Sequence, residues 1–294
     1  VSRAVCPTII VAGMHRSGTS LTASLLAGAG IDLGSRLLGA GLGNDRGHFE
    51  DLDFKELHGR GLEGWGIGEA GFTCQSGIRL PFFLRARAEA LAADRTAAGR
   101  PWGWKDPRTV LFLEDWNEIL PEAFHVVVFR RPWEVVDSFF RRGDAAFVLN
   151  PPFAIAVWLH YNSLLLDFLR RFPRRCLPLE VSQIAADPPR LCRDVRDRTG
   201  AVLADPSPVF DERLLRRDVP EPLAHLVCEY APRALEVYLR LRELAGSSSP
   251  LPGPAAGGRR RAVLEQEIRD WAGQARAAAA AGAAGGATDD RTAA

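Results

Sequence analysis

The chain has 294 residues, 47% of them apolar and 25% charged, enough to bury one sizeable core. Thirty-seven basic residues against 36 acidic ones leave a formal net charge of +1. No overall field therefore draws the chain to nucleic acid or to an anionic membrane, and any anion site has to be local. The five cysteines (Cys6, Cys74, Cys176, Cys192, Cys228) are scattered and form no C-x-x-C pair. That pattern argues against a disulfide framework or a zinc site and for a reducing, cytoplasmic compartment. No apolar run reaches the roughly 18–20 residues of a membrane span, and the first six residues lack a signal-peptide core. Only Lys55 and Lys105 among the basic residues are lysine.

Taken in chain order, residues 8–12 are a β-branched apolar run that stops at Gly13, after which Leu21, Leu25 and Leu26 recur at helical spacing as far as Gly28. This predicts strand, loop and helix in succession. Residues 34–77 are glycine-rich and read as irregular loops around short helices, longer than a connector in a compact domain needs. Asp106-Pro107 offers an N-cap and a first-turn proline for a helix running to Leu120. Residues 126–129 form a second apolar strand that ends in Arg130-Arg131, with Pro132 placed for the first turn of the next helix. Residues 154–171 are expected as a helix packing Trp158, Leu165 and Phe168, and a further strand is expected at Leu179. Repeated strand-then-helix units predict an α/β fold: a parallel sheet of the P-loop type flanked by helices on both faces, with ligands at the carboxyl ends of its strands. From Gly246 the composition turns to Gly, Ser and Pro and then to alanine. This sets an expected boundary between a domain at 1–245 and a linker with an Ala-rich, partly helical and mostly mobile tail at 246–294.

The run Gly13-Met-His-Arg-Ser-Gly-Thr-Ser20 lies between strand and helix, where successive backbone N–H groups and the helix dipole cradle a phosphate. It differs from the nucleoside-triphosphate signature, because Thr19 stands at the position of the usual lysine and the cation, Arg16, comes three residues earlier. Arg130 and Ser138 are eight residues apart, one at a strand end and the other about two turns into the following helix, a spacing that lets both converge on one anion. A ligand with phosphate at both ends of an adenosine needs two separate sockets; a nucleoside triphosphate does not.

His15-Arg-Ser-Gly-Thr-Ser20 resembles the 5′-phosphosulfate loop of the sulfotransferases that use 3′-phosphoadenosine 5′-phosphosulfate (PAPS). The stretch from Val128 to Ser138 is similar to that family's 3′-phosphate site. The resemblance runs from Thr8 to about Asp218. It implies that Gly13, His15, Arg16, Ser17, Gly18, Thr19, Ser20, Arg130 and Ser138 bind the donor and that no metal is required. Trp104-Lys-Asp-Pro-Arg-Thr109 resembles the Lys-x-Pro-Arg stretch of the tyrosylprotein and bacterial carbohydrate-type branch, which puts Lys105, together with Arg16, on the transferred sulfuryl group. Gly47-His-Phe-Glu50 is similar to the same branch and implies Glu50 as the general base, with His48 and Asp51 as rivals. A carboxylate of ordinary acidity (about 4.3) needs partial burial for that task, which Phe49 and Trp65 are placed to supply. A surface pair for Lys105 and Arg108, a capping or arginine-pairing role for Glu50, and an exposed position for Lys55 are the bland alternatives.

The resemblance implies an acceptor hydroxyl on a glycan or small metabolite, with Trp65, Phe72, Phe82 and Phe83 available to line its pocket. The stretch Phe210-Asp-Glu-Arg-Leu-Leu-Arg-Arg217 resembles a late arginine segment of some bacterial members, while the Arg-Lys-Gly lid of the phenol-type enzymes is absent. A nucleotide-dependent kinase and a silent module that binds the bisphosphate nucleotide are the alternatives from other classes.

Overall fold

The computed structural model describes residues 6–39, 48–204, 219–251, 253 and 258–289. Its strands are β1 (Thr8–Ala12), β2 (Trp102–Lys105), β3 (Phe124–Phe129) and β4 (Cys176–Glu180). The helices in chain order are α1 (Thr19–Gly28), α2 (Leu52–Glu63), α3 (Phe82–Ala97), α4 (Leu113–Ile119), α5 (Pro132–Arg142), α6 (Ala145–Leu149), α7 (Pro151–Arg171), α8 (Val181–Ala186), α9 (Pro188–Thr199), α10 (Glu221–Tyr230), α11 (Pro232–Ala245) and α12 (Arg261–Asp289). The segment Phe210 to Arg217, singled out in the sequence, lies outside the described residues. The chain forms two compact units, one of Val1–Arg130, His160–Leu215 and Leu239–Ser249, the other of Arg131–Leu159, Arg216–Tyr238 and Pro250–Ala294.

In the first unit all four strands are parallel, in the order β2-β1-β3-β4. Ile9, Val11, Phe124, Val126, Val128, Leu177 and Leu179 alternate onto one face and share a buried cluster with Leu25 and Leu26 of α1, Ile184 of α8 and Val195 of α9. The other face is aromatic. Phe54 of α2 stacks on Trp104 with ring centroids 4.2 Å apart, Trp116 of α4 lies 4.6 Å from Trp104, and Phe168 of α7 stands edge-on to His125. Both faces are thus covered by helices, which is why the strands read as unbroken apolar runs. The α/β fold expected from the sequence is present.

Strand β2 is the element the apolar pattern did not reveal. It pairs with β1 only because residue 103 is glycine: a Cβ there would lie 1.7 Å from the Ile9 carbonyl oxygen. The helix expected after Asp106 begins as a 3₁₀ segment, Pro107–Phe112, with the Asp106 carboxylate accepting from the Arg108 N–H, and continues as α4. Pro132 occupies the first turn of α5, as the sequence predicts. Helix α7 is long and apolar enough to cross a bilayer, although polar residues interrupt its apolar run. In this protein 61% of its most apolar window is buried.

His125 is fully buried on β3, and burial pushes its imidazole down to about 3. A histidine that is neutral when folded and protonated when unfolded contributes stability above about pH 6.5, and that contribution is lost as the pH falls from there toward 3, at roughly 1.4 kcal/mol per pH unit. His125→Phe is therefore expected to retain more of its neutral-pH stability at pH 4 than the parent does, as measured by urea denaturation at the two pH values. Equal acid losses in both chains would refute this.

The second unit is helical. Helix α5 packs against α10 and α12, Trp133 meets Tyr238 edge-on at 5.7 Å, and Leu264, Ile268 and Trp271 of α12 are buried. The stretch beyond Pro250, expected as linker and mobile tail, thus supplies a packed helix to this unit. Its large apolar residues are few, but 264, 268, 271 and 275 fall on one face.

Candidate active site

Three adjacent parallel strands end side by side at the candidate site: β2 in Lys105, β1 in the loop that opens at Gly13, and β3 in Arg130. The loop is shaped by two left-handed residues, Arg16 (φ 64°) and Gly18 (φ 91°). A Cβ at Gly18 would fall 2.2 Å from Val181 Cγ2, and one at Gly13 would fall 2.4 Å from the Val128 carbonyl oxygen. Both glycines therefore let backbone lie where any other residue would collide. Gly18 is the N-cap of α1, no side chain caps that end, and its first turn holds no acidic residue. The first N–H groups of α1 and the positive end of its dipole thus face the loop without a side-chain partner, the arrangement that receives an anion. The Ser17 side chain is fully buried and its Oγ has no hydrogen-bond partner among the described residues, an exception to the pairing of buried polar atoms.

The loop's other residues are tied to their surroundings. The His15 ring stands edge-on to Phe72 at 5.1 Å and to Tyr161 at 6.4 Å. Ser20 Oγ donates to the His48 carbonyl at 3.3 Å, and Thr19 is buried. Arg130 is 6% exposed and its guanidinium donates to the Arg16 carbonyl at 3.3 Å, so the cation at the end of β3 lies directly on the loop of β1. Ser138 sits on α5 in the second unit, and its part in an anion site rests on the eight-residue spacing alone.

Lys105 is 2% exposed. Its Nζ donates to Glu50 Oε1 at 2.8 Å and to the His48 carbonyl at 2.9 Å, so the stretch before α2 is fastened to the end of β2. Glu50 Oε2 accepts from the Arg108 guanidinium at 3.2 Å. Burial pulls the Lys105 ammonium below its usual range, and the Glu50 carboxylate opposes that pull. Burial would also lower Arg108, but the Asp106 and Glu50 carboxylates outweigh it and hold the guanidinium above its ordinary value. Asp106 Oδ1 takes the Arg108 Nε at 2.7 Å, and Oδ2 meets His58 Nδ1 at 2.7 Å. Burial alone would raise the Asp106 carboxyl, yet Arg108 and His58 hold it well below the carboxylate range. Glu50, Asp106, Lys105 and Arg108 therefore form a buried set of two anions and two cations, in which each charge has a partner.

The rival bases have other tasks. Asp51 caps α2, with Oδ1 accepting from the Asp53 N–H at 2.9 Å and Oδ2 from Arg95 at 2.7 Å; burial raises its carboxyl. His48 contributes its backbone carbonyl to Lys105 and Ser20. Lys55 pairs with Glu69. Trp65 is 40% exposed and donates to the Arg79 carbonyl, while Phe82 and Phe83 stand out in solvent on the first turn of α3. Of the four aromatics expected at an acceptor pocket, Phe72 meets the loop, through the His15 ring. His58 carries no signal in the sequence, being a single histidine on an amphipathic helix with no motif around it.

No protein-family model matches the chain, and no curated protein matches it in sequence. Among solved structures, it is similar to the sulfotransferase domain of the Synechococcus PCC 7002 olefin synthase (20% identity, 90% of this chain and 93% of that one, TM-score 0.45). It is also similar to a sulfotransferase from Alicyclobacillus acidocaldarius (15%, 83% and 98%, 0.48) and to sulfotransferase STF1 from Mycobacterium tuberculosis (14%, 83% and 77%, 0.46). The similarity spans most of the chain. It is a likeness of backbone course at low identity.

Proposed function

We propose that the chain is a sulfotransferase that takes a sulfuryl group from PAPS and passes it to an acceptor hydroxyl of a glycan or small metabolite. The observation that carries this reading is the Arg130 guanidinium donating to the Arg16 carbonyl, which brings the cation at the end of β3 onto the loop that follows β1. Ser17 with its buried, unpartnered hydroxyl and the Gly13 and Gly18 cradle fit a phosphate.

When bound, the donor supplies a sulfuryl group on a phosphate leaving group. Gly13, His15, Arg16, Ser17, Gly18, Thr19 and Ser20 would hold its 5′ end, and Arg130 its 3′-phosphate. Glu50 Oε1 takes the proton of the acceptor hydroxyl as the new oxygen–sulfur bond forms and the bond from sulfur to the 5′-phosphate oxygen breaks. Lys105 and Arg16 offset the charge that builds on the sulfuryl and bridging oxygens. For Lys105 to do so, its ammonium turns away from Glu50, which unblocks the oxygen that acts as base. The loop has Thr19 where a kinase of the triphosphate-loop type carries lysine. Calorimetry of the whole chain with adenosine 3′,5′-bisphosphate, and with ATP plus magnesium, tests the assignment. Binding of the bisphosphate alone is expected, together with transfer of labelled sulfate to a hydroxyl acceptor; preference for ATP would reject it.

A further inference from the structure

We propose that Asp106 and His58 are positioning residues for the transfer: acting through Arg108, they lock one oxygen of Glu50 and leave the other as the only oxygen able to accept a proton. This rests on the function proposed above. The lock begins at Trp116, whose indole Nε1 can only donate, and it donates to His58 Nε2 at 2.8 Å. His58 therefore carries its proton on Nδ1 and donates it to Asp106 Oδ2 at 2.7 Å. The imidazole is clamped besides by a parallel stack on Phe112, with ring centroids 5.3 Å apart.

Asp106 Oδ1 in turn accepts both the backbone N–H and the Nε of Arg108, at 2.9 and 2.7 Å. The remaining arms of the guanidinium reach the Glu69 carbonyl at 3.3 Å and Glu50 Oε2 at 3.2 Å. A planar fork held on three sides cannot turn without losing every bond at once. Glu50 Oε2 thus has a fixed partner, whereas Oε1 is held by Lys105, a point charge on a flexible four-carbon stem. Two cations of unequal mobility on one carboxylate make the choice of reacting oxygen a property of the fold. The residues that make it come from α2, α4 and the 3₁₀ segment after β2.

The test is steady-state kinetics of the full chain, with bisphosphate affinity measured in parallel. His58→Leu, which removes the donor to Asp106, is expected to lower kcat by about 10-fold or more while the KM for the donor and the bisphosphate Kd stay at parental values. His58→Asn, whose amide can replace Nδ1–H, is expected to recover most of that loss. Should His58→Leu fail to fold, Arg108→Lys serves instead: it keeps the charge but cannot bridge Asp106 and Glu50, and the same fall in kcat at constant Kd is expected. A folded His58→Leu or Arg108→Lys with parental kcat overturns the positioning role alone. A parent chain that binds no bisphosphate overturns the functional assignment and this inference together.

Discussion

Glu50→Gln is expected to reduce kcat by about 10²- to 10⁴-fold, the range for loss of a general base, and to destabilise the fold by about 3–5 kcal/mol. The two losses have different causes. The first follows from removing the carboxylate that pairs with Lys105 at the end of β2. The second follows from the charge set, because with the amide in place Lys105 and Arg108 are opposed by Asp106 alone and a buried positive charge is left over. A companion substitution separates them. Adding Lys105→Met to Glu50→Gln leaves Asp106 and Arg108 as a neutral pair, so most of the stability should return while transfer stays at or below the level of the single variant. Urea denaturation and labelled-sulfate transfer on the parent, the single variant and the double variant give the answer. Full turnover in Glu50→Gln would remove Glu50 from the mechanism. A double variant no more stable than the single one would contradict the account of the charge set.

Trp271→Ala is expected to cost about 3–5 kcal/mol, as for a large aromatic removed from a core. The indole is 3% exposed, stands edge-on to Phe140 at 5.1 Å and donates Nε1 to Asp137 Oδ1 at 3.2 Å. Trp271→Phe keeps most of the packing and loses the hydrogen bond, so its cost should be nearer 1–3 kcal/mol. The order parent, Phe, Ala in thermal midpoint is the measurable outcome. A midpoint for the alanine variant equal to the parent's would show that the helix after Arg261 contributes nothing to the second unit. The prediction matters because this helix lies in the stretch whose composition looks least able to pack: alanine-rich, with one tryptophan and a few scattered aliphatic residues.

Strands β1 and β3, the turn after β1 and the first helix were legible in the sequence because each is a local matter. β-branched runs at 8–12 and 126–129, glycines where the backbone must turn or approach closely, and leucines at helical spacing act within a few residues of one another. The aromatic face of the sheet was not legible. Trp102 and Trp104 flank a glycine in a run of four residues, too short to show a period, and β2 exists because Gly103 lets it approach β1. The expected pocket aromatics Trp65, Phe82 and Phe83 show the same limit from the other side: residue type suggested burial, and their places at the exposed ends of α2 and α3 gave them to solvent.

The sequence alone determined that this chain folds around a parallel sheet and that a glycine-shaped loop joins its first strand to its first helix, since both are written in contiguous residues. Only tertiary structure decided that Arg130 rests on the Arg16 carbonyl, that Glu50 meets Lys105 and Arg108, which stand 55 and 58 positions further along the chain, and that His58 and Asp106 stand behind them. The physical reason is the strength of charge pairing away from water. A buried ion pair forms wherever the packed core brings opposite charges within about 3 Å, and that distance depends on how helices and strands stack, which no local spacing encodes.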